Sequence, residues 1–423
     1  MRIKKQDLIT TLENQKEELK QLGRTLFDCP EVGFRETKTA GLLLSFFQQH
    51  KIPCQEGLSL TGVRADIGNS GGSGYHIGLA ADMDALYVGT GNEKHAIHSC
   101  GHSIQTAVLA FAVKLIKESG LLDETGGSLS FFATPAEEFI DLEYRKSLIK
   151  TGKIRFCSGK QNMIADGVFD GLDCILSVHV NGEKETRFDV GSSLTGFVKK
   201  RITFTGRTAH SGALIHEGRN AMHGATLFLS ALSFLKEQFH PADGIRISPV
   251  ITSCGGSLNA VPEQAVLETY VRANTLSSLK NACHLLDQCV CHCALALGLS
   301  GTVENENGYM PFQQSEPLTA VIYQNMLSFC PDDKIIKKPV SGASGDIGDL
   351  GYLLPAIQFG FSGIRGRIHS DDFIIADEEN VYTNVARIIL GTVYDLLTQP
   401  ELQVRTPGYE SRKHTYMTEW LGI

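Results

Sequence analysis

Apolar and polar positions alternate in two distinct textures, and the points where the texture changes predict the organisation of the chain. The opening "MRIKKQDLITTLENQKEEL" interleaves charged and apolar residues and reads as an amphipathic surface helix rather than a signal peptide. Further on, "GYHIGLAADMDAL" is an apolar strand that ends in two carboxylates, Asp82 and Asp84. "SIQTAVLAFAVKLIKE" carries apolar residues at helical spacing, with Ser103 as its expected N-cap. "SLSFFATPAEEF" is a short strand broken at Pro135, and "DCILSVHV" is another, ending at His179. Strand, polar cluster, helix, strand, polar cluster is the rhythm of an α/β domain, in which ligands gather at the carboxyl ends of strands.

Near residue 194 the pattern changes. "FVKKRITFTGRTAHSG" alternates as a half-exposed strand does, and "EGRNAMHGATLFLSALSFLKE" reads as a long helix. "GIRISPVITSCGG" and "QAVLETYVRANT" read as strands, and "LSSLKNACHLLDQCVCHCALALGL" as a second helix. After "GYMPFQQSEP" the first texture resumes, with "AIQFGF" a strand. The expected organisation is an α/β domain in two parts, 1–193 and 309–423, holding an α+β insert at 194–308 large enough to fold alone.

Totals narrow the function classes. A chain of 423 residues exceeds what one core usually supports. Its net charge of −8, with no long basic run, argues against a nucleic-acid surface. No apolar run reaches the ~18 residues of a membrane span. The 11 cysteines are odd in number and form no regular framework, which fits reduced thiols in a cytoplasm.

The candidate chemistry lies at strand ends: Cys100 and His102 in "IHSCGHSI", the pair Glu137 and Glu138, and His179. Cysteine, histidine and carboxylate together suit borderline divalent ions, and a thiolate has lone pairs enough to bridge two of them. Adjacent glutamates allow divided labour, one binding metal while the other stays free as a general base. The cluster "CHLLDQCVCHC" is a weaker claimant. Its Leu279, Cys283, Leu286, Val290, Cys293 and Leu297 recur at three or four residues, as a buried helix face does. His95 and His98 read as loop hydrogen-bonding residues.

These motifs, taken in order, carry a family resemblance. "PEVGFRE", "ADMDAL", "HSCGH" followed by "TA", "PAEE", "VHV", "GRTAHSGA", "GGSLNAVPEQAVLETYVRA", "GASGDIGDL" and "RIHSDDFIIADEE" resemble the aminoacylase-type dinuclear metallo-amidohydrolases. The similar branch holds hippurate, indole-acetyl-amino-acid and p-aminobenzoyl-glutamate hydrolases. The resemblance implies a metal-dependent exopeptidase-like catalytic domain with an inserted lid and dimerisation domain. It implies two divalent ions per subunit, zinc or manganese foremost, cobalt or nickel otherwise. Cys100 would bridge them, with His102, Glu138, His179 and His369 completing the two sites. Glu137 would deprotonate the bridging water and return the proton to the leaving amine.

Asp84 would orient a ligating histidine, or else be a strand-end turn carboxylate. His210 would cross a dimer interface to the oxyanion, unless it is a surface-turn histidine. Asn259 would contact substrate, and Arg272 would take the substrate carboxylate or join a structural ion pair. The implied reaction is cleavage of the amide of a small N-acyl amino acid or dipeptide-like substrate in a cytoplasmic homodimer. A carbamoyl-amide hydrolase and a non-catalytic metal-binding subunit are the alternatives. The chain departs from the family pattern at Ser103 and Gln105, where aspartate and histidine are usual, and at Tyr87, where proline is usual.

Overall fold

The computed structural model describes residues 3–69, 71–89, 94–183, 185–405 and 407–423. The chain forms two compact units. The first comprises Met1–Ser193, Gln313–Val340 and Asp349–Thr418; the second comprises Leu194–Phe312, Ser341–Gly348 and Glu419–Ile423. The second unit thus takes in more chain than the 194–308 span expected from sequence. Two short returns account for most of the difference. Thr195 N donates to the Ala343 carbonyl at 2.8 Å, and Asn307 Nδ2 donates to the Trp420 carbonyl at 2.5 Å. Such returns are held by a few polar contacts with distant residues and leave no periodic signal.

The first unit is built on an eight-stranded mixed sheet. In chain order its strands are β1 (Cys54–Leu58), β2 (Gly62–Gly68), β3 (His76–Asp82), β4 (Ser128–Thr134), β5 (Cys174–Val180), β6 (Phe188–Val190), β7 (Ile335–Lys337) and β8 (Ala356–Phe361). Their spatial order is β1-β2-β4-β3-β5-β8-β6-β7. The four central strands β4, β3, β5 and β8 run parallel. Every residue of β3 and β4 is buried, as expected of strands covered on both faces. The helix His102–Ser119 is buried from His102 through Ile116. It packs on the sheet and against the helices Lys5–Phe27 and Val385–Thr398. A helix buried on every face belongs in a core, and this one is the centre of it, its few polar side chains included.

The second unit is an antiparallel sheet with two helices. Gly196–Thr205 lies between Gln264–Ala273 and Ser300–Asn307, while Arg246–Ile247 and Val250–Cys254 pair with the far side of Gln264–Ala273. Ala221–Leu235 starts at an Asn220 cap that accepts Met222 N at 2.9 Å, and Leu276–Ala296 starts at a Thr275 cap that accepts Ser278 N at 3.1 Å. In the second helix Leu279, Leu286, Val290 and Cys293 are buried, so the cysteine-rich run packs as a helix face. Among the described residues no helix is long and apolar enough to cross a membrane.

Candidate metal centre

The chemistry-bearing residues of the first unit follow the carboxyl ends of four adjacent parallel strands. Asp84 lies two residues past β3, Glu137 and Glu138 follow β4, His179 is the penultimate residue of β5, and His369 follows β8. Cys100 and His102 flank the start of the central helix. Gly101, rather than Ser103, caps that helix, with φ of 81°. A Cβ at Gly101 would come within 3.0 Å of Val180. Only glycine takes this left-handed turn against β5 at low cost, and the turn brings Cys100 and His102 to the same place.

Hydrogen bonding decides which nitrogen each histidine presents. His102 Nδ1 lies 2.8 Å from the Asp84 carbonyl oxygen and 3.3 Å from its Oδ1, so Nδ1 carries a proton. His179 Nδ1 faces the Val180 carbonyl at 2.8 Å and is likewise protonated. Both rings therefore direct Nε2 towards the cluster, the arrangement of a histidine fixed through its far nitrogen for metal binding. His102 Nε2 is buried with no hydrogen-bond partner among the described residues.

The turn bearing the two glutamates is held by its backbone. Asp84 Oδ1 accepts Glu137 N at 3.1 Å and Oδ2 accepts Glu138 N at 3.0 Å. Ala136 sits at φ of 57°, a strained value for a residue with a Cβ. Its amide is received by the buried Glu36 carboxylate at 2.9 Å, and Thr61 donates to the same group at 2.6 Å. The buried Arg145 guanidinium donates to the carbonyls of Ala136, Cys157 and Glu138. Phe34 covers that guanidinium, and Gly33 packs so closely that a Cβ there would meet Ala136 at 2.8 Å. The "PEVGFRE" motif is the buttress of the glutamate turn.

Three donor groups result, each with ligand atoms within 4.8 Å of one another: Cys100, His102 and His179; Cys100, Glu138 and His369; and His102, Glu137 and Glu138. Cys100 Sγ lies 3.5 Å from His179 Nε2 and 3.2 Å from His369 Nε2. His369 Nε2 is also 3.2 Å from Glu138 Oε1. Cys100 is thus shared by two donor groups, as His102 and Glu138 also are, and it is the one thiol among them. Burial opposes charge on His102, yet Cys100 and Asp84 outweigh it and hold its pKa well above the usual range. Burial, then Glu138, pushes the Cys100 thiol well above its own. The carboxylates draw a proton to this spot, and a divalent cation answers the same demand while converting the thiol to a thiolate ligand. The donor set fits two such ions.

His95 and His98 join none of these groups. His98 is buried with its ring 6.5 Å from that of Phe27, and His95 Nε2 is 3.8 Å from Asp371. In the second unit, His210 Nδ1 accepts the amides of Gly212 at 3.2 Å and Ala213 at 3.1 Å. This is the opposite tautomer from His102 and His179, and it leaves His210 with an exposed Nε2–H donor. The Asn259 carbonyl accepts Ser211 N at 3.0 Å, so His210 and Asn259 stand on neighbouring exposed loops. Arg272, half-buried, is the penultimate residue of the strand Gln264–Ala273.

The sequence profile of peptidase family M20/M25/M40 matches residues 78–394, a stretch holding every donor named above. The chain belongs to this family. As an M20-type protein it is a metallo-amidohydrolase. An Xaa-Arg dipeptidase of Mus musculus is 24% identical over 91% of this chain and 87% of its own length. An IAA-amino acid hydrolase of Arabidopsis thaliana is 26% identical over 87% of this chain and 78% of its own. A solved Bacillus subtilis structure, described as a dinuclear metal-binding peptidase from the M20 family, shares the fold with a TM-score of 0.68 at 18% identity, covering 93% of this chain and 99% of that one.

Two residues that support this M20 site had no supporting role assigned from sequence, Lys160 being unmarked and Gln105 only a departure from the family pattern. Lys160 forms a buried ion pair with Asp82, which also accepts the Thr134 hydroxyl at 2.7 Å. Gln105 accepts Asp82 N at 2.7 Å and donates to Ser177 Oγ at 3.0 Å and the Val178 carbonyl at 2.6 Å, tying the central helix to β3 and β5. The available signal was a fully polar residue inside an apolar run, as Gln105 is in "SIQTAVLAFAV".

Proposed function

We propose that this chain hydrolyses the amide bond of a small N-acyl amino acid or dipeptide-like substrate, as a homodimer in the cytoplasm. The observation that carries the reading is the position of Cys100, the one thiol shared by two donor groups. Cys100, His102 and His179 would hold one divalent ion, and Cys100, Glu138 and His369 the other, with zinc or manganese the fitting metals. When bound, such ions polarise the scissile carbonyl and lower the pKa of a coordinated water.

The remaining work falls to side chains. Glu137 is 13% exposed and has its carboxylate 3.9 Å from His102 Nε2. It would take the proton of the attacking water and deliver it to the leaving amine. Asp84 would keep His102 in its ligating tautomer. His210, acting from the partner subunit, would donate its Nε2–H to the developing oxyanion. Asn259 would contact the substrate backbone, and Arg272 its carboxylate. Dimerisation through the second unit is supported by exposed apolar residues there, Met222 and Phe234 on one helix and Val250 and Ile251 on an edge strand. The substrates of the dipeptidase and IAA-amino acid hydrolase relatives fit this class of amide.

Elemental analysis of protein purified without chelators, with Cys100→Ala in parallel, tests the reading. About two ions per chain are expected, with both sites weakened in the variant. A chain that takes up no manganese, zinc or cobalt and cleaves no N-acyl amino acid would overturn it.

A further inference from the structure

The first unit carries a cavity of about 560 Å³ whose lining includes none of the metal donors. Six charged side chains line it, Arg187, Lys334 and Arg365 with Glu183, Glu185 and Asp377. Among the described residues none of the six belongs to an ion pair. Lys334 Nζ reaches the Glu185 carbonyl at 3.2 Å rather than a carboxylate, and Asp377 Oδ1 accepts Asn380 N at 3.0 Å. Arg187 and Lys334 stand side by side: they precede β6 and β7, whose first residues pair in register, and Arg187 N donates to the Lys334 carbonyl at 2.9 Å. Two cations so placed repel.

The buried part of the lining is polar and held by its backbone. Asn380 is 2% exposed and Ser362 6%. Asn380 Nδ2 donates to the Ser362 carbonyl at 2.8 Å, and Ser362 Oγ to the Thr186 carbonyl at 2.5 Å. Gly363 turns here with φ of 121°, where a Cβ would meet Val381 at 2.7 Å. Its carbonyl accepts the amides of Ala376 at 2.8 Å and Asp377 at 2.9 Å, closing the base of a hairpin in which Ile364–Arg365 pairs with Ile374–Ile375. Thr186 Oγ1, in the same lining, is buried with no hydrogen-bond partner among the described residues. A hydroxyl left so is costly until something enters to meet it.

The charges select the occupant. A polyanion would face three carboxylates, and a polycation three cations. An uncharged ligand would strip water from all six and replace none of it. A ligand with one charge of each sign satisfies both sets. We propose that this cavity is a second binding site, separate from the metal centre, for a small zwitterion with a free ammonium and a free carboxylate, an α-amino acid or a short peptide. Arg187 and Arg365 offer planar donor pairs to the carboxylate, Glu183 and Asp377 accept from the ammonium, and the Thr186 hydroxyl gains the hydrogen bond it lacks. A cavity of this volume has room for either source. The site stands independently of the amide-hydrolase reading, since none of its residues takes part in that reaction.

Calorimetric titration of chelator-treated full-length protein with L-alanine and L-alanyl-L-alanine tests the site, and the tighter of the two identifies amino acid or peptide as its ligand. The N-acetylated form of that ligand lacks the ammonium, and its carboxyl amide lacks the carboxylate. Each is expected to bind about tenfold more weakly or worse. Arg365→Gln and Asp377→Asn, both at exposed positions, should each weaken the zwitterion about tenfold. Hydrogen exchange should slow in segments 185–187 and 363–377 when the ligand is present. Binding of neither zwitterion, equal binding of the blocked forms, or an affinity that survives both variants would overturn the site. So would protection confined to the metal-centre turns at 98–102 and 136–141.

Discussion

Asp84 holds His102 twice: its carbonyl oxygen lies 2.8 Å from Nδ1, and its carboxylate Oδ1 lies 3.3 Å from the same atom. The same carboxylate accepts the amides of Glu137 and Glu138. One buried residue thereby sets the tautomer of a histidine in two of the donor groups and the position of the glutamate turn. Asp84→Ala is expected to weaken metal binding by about 10–100-fold. Competition with a fluorescent chelator reads this directly; unchanged affinity would mean that the ring is oriented by the carbonyl alone.

The proposed function gives the neighbours Glu137 and Glu138 separate work. Glu137→Gln keeps the side-chain volume and removes the proposed base. It is expected to lower kcat by about 10²–10⁴ while metal content stays at the wild-type level. Glu138→Gln should lower metal content itself. Steady-state kinetics beside elemental analysis distinguishes the two, and the assignment of roles fails if both variants lose metal equally.

Glu36 gives the fold a pH dependence of known sign. Burial first, then the Asp84 charge, raises its pKa from 4.5 to about 7. The folded state favours the protonated acid. This contribution is fully present below the unfolded value near 4.5 and is lost as pH rises through about 7. Its full size is on the order of 3 kcal/mol. Gln at this position keeps an oxygen for Ala136 N, and its amide nitrogen can donate to Thr61. Urea unfolding of chelator-treated protein should show Glu36→Gln gaining on the wild type between pH 5 and pH 8. Parallel stability profiles would contradict this.

Gln105 uses its carbonyl and both amide hydrogens inside the core. Gln105→Leu leaves Asp82 N, Ser177 Oγ and the Val178 carbonyl without that partner, at about 1–3 kcal/mol for each group left unsatisfied. A Tm lowered by several degrees is expected, and metal affinity should fall with it, because the helix that carries His102 loses its tie to β5. Differential scanning calorimetry with and without manganese measures both effects.

Much of this was legible in the order of the residues. The α/β rhythm, the placing of Cys100, His102, Glu137, Glu138 and His179 at strand ends, and the helical reading of the cysteine-rich run all follow from local periodicity. Local pattern failed where the partner is distant. Lys160 meets Asp82, Arg145 meets the carbonyl of Cys157 and those of the glutamate turn, and Glu36 meets Ala136 across 100 residues. A buried polar side chain announces a partner without naming it. The helix start moved from Ser103 to Gly101 for a related reason: the cap is chosen by the close approach of Val180, which no local pattern records. The returns at 341–348 and 419–423 were hidden in the same way, since each is held by polar contacts with remote backbone.

The sharing of Cys100 between two donor groups also imposes an order of manufacture. Cys100, His102 and His179 all leave the ribosome before any of the second unit does, whereas His369 emerges only after most of that unit is complete. Until β8 arrives, β5 has no partner on that side and is an open edge beside Cys100, His102 and His179. The centre is therefore finished in two instalments, and the later one closes the seam between the two halves of the sheet.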